Sequence, residues 1–214
     1  GSGTPAVNDY FTPAATTTLA TVDNTAFTKA RHSDTFDPGD DKVRIGDMVE
    51  YELRLLLDEG SYTNLVLSDV LPMGVQFEQV VSINGETVAP FVNVAPFIHN
   101  PVAAPTVTGT AATGTTTMTL TVGDVTNVSD GNALNDFFII IYRARVLNND
   151  VFNQTTNLPL TNTATLQYTN AVGPVSMSDI ETIILQQPDL TVDKSVQTVD
   201  GNITIDAGET VTYT

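Results

Sequence analysis

Three polar residues sit where the alternation of their strands calls for apolar ones. Leu160, Asn162, Ala164, Leu166 and Tyr168 recur at every second position, so Asn162 shares their inward face. Leu65, Leu67, Asp69 and Leu71 follow the same rule, with Asp69 as the exception. Around Phe27, Lys29 and Arg31 the phase is less clean. A later stretch, Leu190, Val192, Lys194, Val196, isolates Lys194 on an apolar face, and by analogy Lys29 is expected to point inward. A charge or an amide buried without a partner costs several kcal/mol, so the three residues should meet one another.

Three arrangements answer that demand. Lys29 and Asp69 can form a buried ion pair beside the Asn162 amide, the three can lie apart at frayed strand ends, or Lys29 and Asn162 can be joined as an amide. The last has a defined route. Desolvation lowers the pKa of an amine and raises that of a carboxylic acid, so a neutral amine can coexist with a protonated acid. The Lys29 amine then attacks the Asn162 side-chain carbonyl, while Asp69 polarises that carbonyl and shuttles protons as ammonia leaves.

The elements that must position these residues are strands. In Met48-Val49-Glu50-Tyr51-Glu52-Leu53-Arg54-Leu55 the odd positions are apolar and the even ones charged after Met48. Further strands are predicted at 64–71, 75–83, 115–122, 137–146, 160–168 and 175–185, separated by Gly, Pro, Asn and Asp clusters. The chain holds 34 threonines, a branched residue that favours the pleated surface. Seven or more short strands without a convincing helix predict an all-β chain, an antiparallel β-sandwich. Residues 90–113 carry four prolines and no sustained alternation, so they are expected to form a long surface insertion, either a seat of function or, the favoured reading, an irregular cover over one end of the sandwich.

Composition mainly excludes. The 214 residues carry 25 acidic and 8 basic side chains, a net charge of −17, which argues against a nucleic-acid partner of the same sign. Cysteine is absent, which removes disulfides, thiolate metal sites and cysteine nucleophiles. No apolar run reaches the roughly 18 residues of a membrane span, so none is expected in this segment. The opening Gly1-Ser2-Gly3 reads as a cloning scar, and residues 4–25 as a linker, leader or edge strand.

The chain also repeats itself. Phe27-Thr28-Lys29-Ala30, a polar loop and Ile45-Gly46-Asp47-Met48-Val49-Glu50-Tyr51-Glu52 reappear as Val192-Asp193-Lys194-Ser195, a polar loop and Ala207-Gly208-Glu209-Thr210-Val211-Thr212-Tyr213-Thr214. Residues 26–188 read as one complete sandwich repeat, and 189–214 as the first hairpin of a following one. A lone hairpin is marginal in water, so this tail is expected to pair with a free sheet edge of its own or a neighbouring chain.

The order Lys29, Gly46-Asp47-Met48-Val49-Glu50-Tyr51, Asp69-Val70-Leu71-Pro72-Met73-Gly74 and Asn162-Thr163-Ala164 resembles the "conserved repeat domain" of bacterial and archaeal surface proteins, an Ig-like module found in tandem arrays. The match covers most of residues 27–185. It also looks like Gram-positive pilin and adhesin sandwiches in which a Lys and an Asn on the first and last strands are joined through a nearby acid. The resemblance implies an extracellular, cell-surface structural repeat of a stalk or adhesin, with neighbouring repeats as its partners. Asp69 would promote the Lys29–Asn162 isopeptide bond. Two departures stand out: the insertion is long for a minimal repeat, and Leu57-Asp58-Glu59-Gly60 replaces the usual Asn-x-Gly after the second strand.

Rival readings use other residues. Calcium needs six to eight oxygen ligands. Asp34, Asp37 and Asp40, with Asp41 and Asp47 nearby, surround the first hairpin loop, and Asp130, Asn132 and Asp136 form a second oxygen-rich patch. Neither loop has EF-hand spacing, and acidic loops are more often simply solvated. An adhesin head would use Phe91, Phe97 and His99 of the insertion as a platform for a glycan or protein ligand, unless these rings pack the insertion down. A turnover enzyme has least support: only His32 and His99 are available, and there is no G-x-S-x-G, Walker loop or H-E-x-x-H. Carboxylates are numerous enough that counting does not exclude a paired-acid hydrolase. A single self-directed reaction requires no cofactor.

Overall fold

The computed structural model describes residues 26–34, 41–149, 152, 157–186, 196–198, 207 and 211–213. In chain order the strands are β1 (Ala26–Asp34), β2 (Lys42–Val43), β3 (Met48–Leu56), β4 (Gly60–Leu71), β5 (Val75–Ile83), β6 (Phe97–His99), β7 (Thr106–Gly109), β8 (Thr116–Asn127), β9 (Phe137–Val146), β10 (Leu158–Thr169), β11 (Pro174–Leu185), β12 (Val196–Thr198) and β13 (Val211–Tyr213). One sheet runs β1-β3-β9-β5 and the other β2-β11-β10-β4-β8-β6, with β7 also paired to β8. Among the described residues, only the two-residue contact of β2 with β11 is parallel. The chain is thus the expected all-β, Ig-like sandwich.

Alternation dictates which residues fill the space between the sheets. β3 contributes Val49, Tyr51, Leu53 and Leu55, and β9 contributes Phe138, Ile140, Tyr142, Ala144 and Val146. Leu65, Leu67 and Leu71 of β4 and Leu160, Ala164 and Leu166 of β10 face them from the second sheet. Each fully buried Leu or Phe contributes about 1.5–3 kcal/mol by leaving water, so this interior holds the sheets together.

Two strands outrun their predicted limits, and one irregularity explains both. β4 starts at Gly60 rather than 64, and β8 continues to Asn127 rather than ending at 122. Their pairing slips around Leu65, where Asn64 (φ 56°) and Gly123 (φ 83°) adopt left-handed backbone. Beyond it the buried positions change phase, from Leu65 to Tyr62 and from Val122 to Val125. An extra residue in a strand turns every following side chain to the opposite face, so a period-two pattern stops there although the ladder does not.

The insertion departs from expectation. It supplies β6 and β7, both paired to β8, and a bridge between Phe91 and Val102. Phe91, Phe97 and Val102 are buried with the core, and Phe97 meets Phe138 edge-on with ring centroids 5.2 Å apart. His99 is buried too, against the same Phe138 ring. Phe91, Phe97 and His99 therefore form no exposed platform; they pack the insertion against one end of the sandwich. Val92 and Ile98, apolar but exposed, break the alternation among them and hid this from periodicity.

Val196 of β12 faces Tyr213 of β13. The equivalent residues of the first copy, Arg31 and Tyr51, face each other in β1 and β3. Among the described residues these two short strands pair with each other and with no other strand. Lys194 lies outside the described residues.

Because Phe97 is a core residue, Phe97→Ala should lower stability by about 3–5 kcal/mol in urea unfolding. An unchanged midpoint would mean that the insertion lies loosely on the surface.

Candidate functional site

Lys29, Asp69 and Asn162 converge. β1 is mostly half-exposed, and Lys29 is its one fully buried residue, at 4% exposure. Asp69 arrives on β4 and Asn162 on β10, both completely buried. These two strands are neighbours, with Asp69 opposite Ala164, two residues beyond Asn162. Lys29 belongs to the other sheet, so the group spans the interior of the sandwich.

The Lys29 ammonium donates to both Asp69 oxygens, Oδ1 and Oδ2, each at 2.7 Å. Its third contact is the Tyr142 hydroxyl at 3.3 Å. Tyr142 in turn donates to Asp69 Oδ2 at 2.8 Å and accepts from Asn162 Nδ2 at 2.7 Å. One phenolic oxygen thus links amine, acid and carboxamide, and it keeps Lys29 Nζ and Asn162 Nδ2 within about 6 Å of each other. Nζ also lies 5.0 Å from the Tyr51 ring centroid and 5.8 Å from that of Tyr142, a favourable placement for a cation over aromatic faces.

The electrostatics follow from burial. Desolvation lowers the Lys29 pKa from 10.5 to about 8, and the charge of Asp69 opposes the fall. Glu181 and Asp179 oppose it more weakly. Burial raises the pKa of both phenols, and the Asp69 charge raises them further, so Tyr51 and Tyr142 remain neutral hydroxyls. Two buried oxygens of this site make no hydrogen bond of regular geometry: Asn162 Oδ1 and Tyr51 Oη. Each such orphan costs about 1–3 kcal/mol, so the site holds unspent bonding capacity beside its reactive carbonyl.

Four contributors were not singled out from sequence. Tyr51 and Tyr142 read as ordinary core aromatics, because alternation places a ring inward without revealing what its hydroxyl touches. Asp179 and Glu181 did leave a signal. They occupy the inward phase of Val175, Met177, Ile183 and Leu185 on β11. Asp179 Oδ2 accepts from the Lys29 backbone N–H at 2.8 Å, tying β1 to the opposite sheet. Glu181 faces Asn162 across the β10–β11 ladder, and its pKa is raised, chiefly by burial. Asn162 is not on the last strand of the domain; β11 lies outside β10, so a link from Lys29 reaches past the edge to the next strand in.

Among the described residues no three His, Cys, Asp or Glu side chains converge as a metal site. Asp34 pairs with Arg31 at 2.9 Å. Asp130 accepts from the Asn132 backbone at 2.8 Å and from Asn135 Nδ2 at 2.7 Å, which lowers its pKa. Asp136 is buried and accepts from Asn127 Nδ2 at 2.7 Å. Asp37 and Asp40 lie outside the described residues. The carboxylate that organises the second loop is Glu59, which accepts from Ser129 Oγ and the backbone of Asp130 and Gly131. Loop and acid thus satisfy each other's hydrogen-bonding groups.

No family model matches the chain, and no curated protein does. Among solved structures, the chain is similar to a variant of BcpA, the major pilin subunit of Bacillus cereus, at 14% identity and a TM-score of 0.46, covering 88% of this chain and 52% of that one. The full-length major pilin SpaD from Corynebacterium diphtheriae gives 14% and 0.44, covering 81% and 36%. A collagen-binding domain from a Staphylococcus aureus adhesin gives 12% and 0.37, covering 75% and 97%. This chain therefore spans about half of the first and about a third of the second. Likeness at this level assigns no activity.

The lowered Lys29 pKa sets a pH dependence wherever that amine is free, as in Asn162→Ala. The folded state binds fewer protons than the unfolded state between about 8 and 10.5, so stability should rise with pH across that window. The gain should be on the order of 3 kcal/mol. Chemical denaturation at a series of pH values checks this, with Lys29→Met added to the same chain as the control that should show no such rise.

Proposed function

We propose that this domain is a self-cross-linked structural repeat of a prokaryotic cell-surface or secreted stalk or adhesin, in which Lys29 and Asn162 are joined through an isopeptide bond promoted by Asp69. The observation that carries the reading is the buried bridge from Lys29 through Asp69 and Tyr142 to Asn162 across the two sheets. A proton moves from Nζ to Asp69 along a 2.7 Å hydrogen bond, leaving a neutral amine. Its lone pair forms the bond to Asn162 Cγ. A second proton passes from the attacking nitrogen to the departing one, which leaves as ammonia and can take the proton held by Asp69. Asp69 returns to the carboxylate from which it began, and the event happens once per chain, so it is not enzymatic turnover.

The surface role draws on the motif order that resembles the conserved repeat domain and on the second hairpin, whose Val196–Tyr213 pairing matches Arg31–Tyr51. Force applied through a stalk peels strands from the sheet edges. A bond between β1 and β10 would divert that load from hydrogen bonds, in a chain without cysteine for disulfides. The acidic surface would keep tandem copies apart by repulsion.

One observation favours a second, non-covalent reading. Nζ is bidentate to Asp69, while the Asn162 amide faces Tyr142, as in a finished polar cluster that pins the sheets without reacting. Intact-mass spectrometry separates the two. The cross-linked chain should weigh one ammonia less than its sequence, and Lys29→Ala, Asp69→Ala and Asn162→Ala should each restore full mass. Full mass in the unaltered chain would leave only the ion pair, and loss of one water instead would place the bond on Asp69.

A further inference from the structure

Tyr51 and Tyr142 are directly opposed across the β3–β9 ladder, and their rings stack at 5.3 Å with an interplanar angle of 27°. Directly opposed residues on paired strands project from the same face of the sheet, so both rings enter the interior together. The Tyr142 hydroxyl is fully engaged, donating to Asp69 and accepting from Asn162 and Lys29. The Tyr51 hydroxyl finds no acceptor for its proton in the resting site, although its residue is completely buried and the Asn162 amide lies close enough to lower its pKa. The Asn162 carbonyl oxygen is likewise buried and unpartnered. A donor and an acceptor, both idle and both beside Tyr142, are poorly used in the ground state. A group that pairs only as charge develops lowers the barrier more than one already bonded, because the gain is confined to the transition state.

From this juxtaposition we infer that Tyr51 is the oxyanion donor for bond formation between Lys29 and Asn162. The inference rests on the isopeptide reading and assigns a residue to its hardest step. As Nζ bonds to Cγ, the carbonyl π pair moves onto Oδ1. The Tyr51 O–H donates a hydrogen bond to that oxygen without giving up its proton. Collapse of the intermediate restores the carbonyl and expels the nitrogen as ammonia, with the proton transfers between Nζ, Asp69 and the leaving group unchanged. The phenol suits the task because burial keeps it neutral and thus a donor. Tyr213 occupies the equivalent position of the second copy, which also retains Lys194.

Tyr51→Phe tests the assignment, since it keeps the ring and its stacking but deletes the donor. Chain recovered unfolded from inclusion bodies is diluted into native buffers of different pH, and loss of ammonia is followed by intact mass. The unaltered chain should cross-link with a rate that climbs as pH rises through about 8, where Lys29 loses its proton. Tyr51→Phe should fold, as judged by its far-UV spectrum, and should cross-link about a hundredfold more slowly at every pH, with the same midpoint. An unchanged rate would overturn the inference. So would an unchanged alkaline plateau with a shifted midpoint, which would mean that Tyr51 acts only by desolvating the amine. If the variant does not fold, 3-fluorotyrosine at position 51, with its stronger donor, should accelerate the reaction, and no acceleration would overturn the inference. Failure of the unaltered chain to lose ammonia would instead overturn the isopeptide reading, which keeps the two claims separable.

Discussion

The site depends on the contact between Lys29 and Asp69 inside an apolar sandwich. Neither charge is tolerable there alone, because removing an ion from water costs several kcal/mol even after relaxation. Together they saturate each other: the ammonium directs its hydrogens at two carboxylate oxygens and one phenol, and the carboxylate takes a further hydrogen bond from that phenol. The pair lies between sheets, so the polar contact also fixes how β1 sits over β4 and β10. Asp179 reinforces this placement by holding the Lys29 backbone N–H from β11.

That arrangement is stable only in part, which is why it has chemical potential. Desolvation draws the amine toward neutrality, and the proton has a receiver at hydrogen-bond distance. The carboxamide sits one phenolic oxygen away with its carbonyl unpaired. Converting an ammonium and an amide into a new amide removes a buried charge. It also closes a loop through most of the domain, which in a simple chain-entropy view stabilises the fold by about 5 kcal/mol. The covalent and non-covalent readings differ in whether this potential is discharged, and they share one geometry.

Most of the fold was legible because period-two alternation is a backbone fact: β5 and β9 begin and end where the pattern does. It failed where the backbone broke the period. The bulge at Asn64 and Gly123 cut two strands short on paper, and the short β6 and β7 hid among prolines with too few residues to alternate. The site was legible through misfits, since Asp69 and Asn162 in apolar phase demanded partners. Tyr51 and Tyr142 were not legible as participants, because a tyrosine in apolar phase is no misfit and its hydroxyl shows its partner only in three dimensions. Asp179 and Glu181 were visible misfits on β11, a strand whose inward residues are mostly only half-buried. Closeness in sequence did not reveal partners either: Asp130 and Asp136 accept from separate amides, Asn135 and Asn127.

The chemical state of one nitrogen tests the central claim most directly. The chain has three lysines, so labelling with ε-15N-lysine yields a proton–nitrogen spectrum with few signals. The account predicts that Lys29 Nζ appears as a secondary amide, with one attached proton and a cross-relaxation contact to the Asn162 side chain. A Lys29 Nζ that resonates as an amine or ammonium in the folded, matured protein would contradict it.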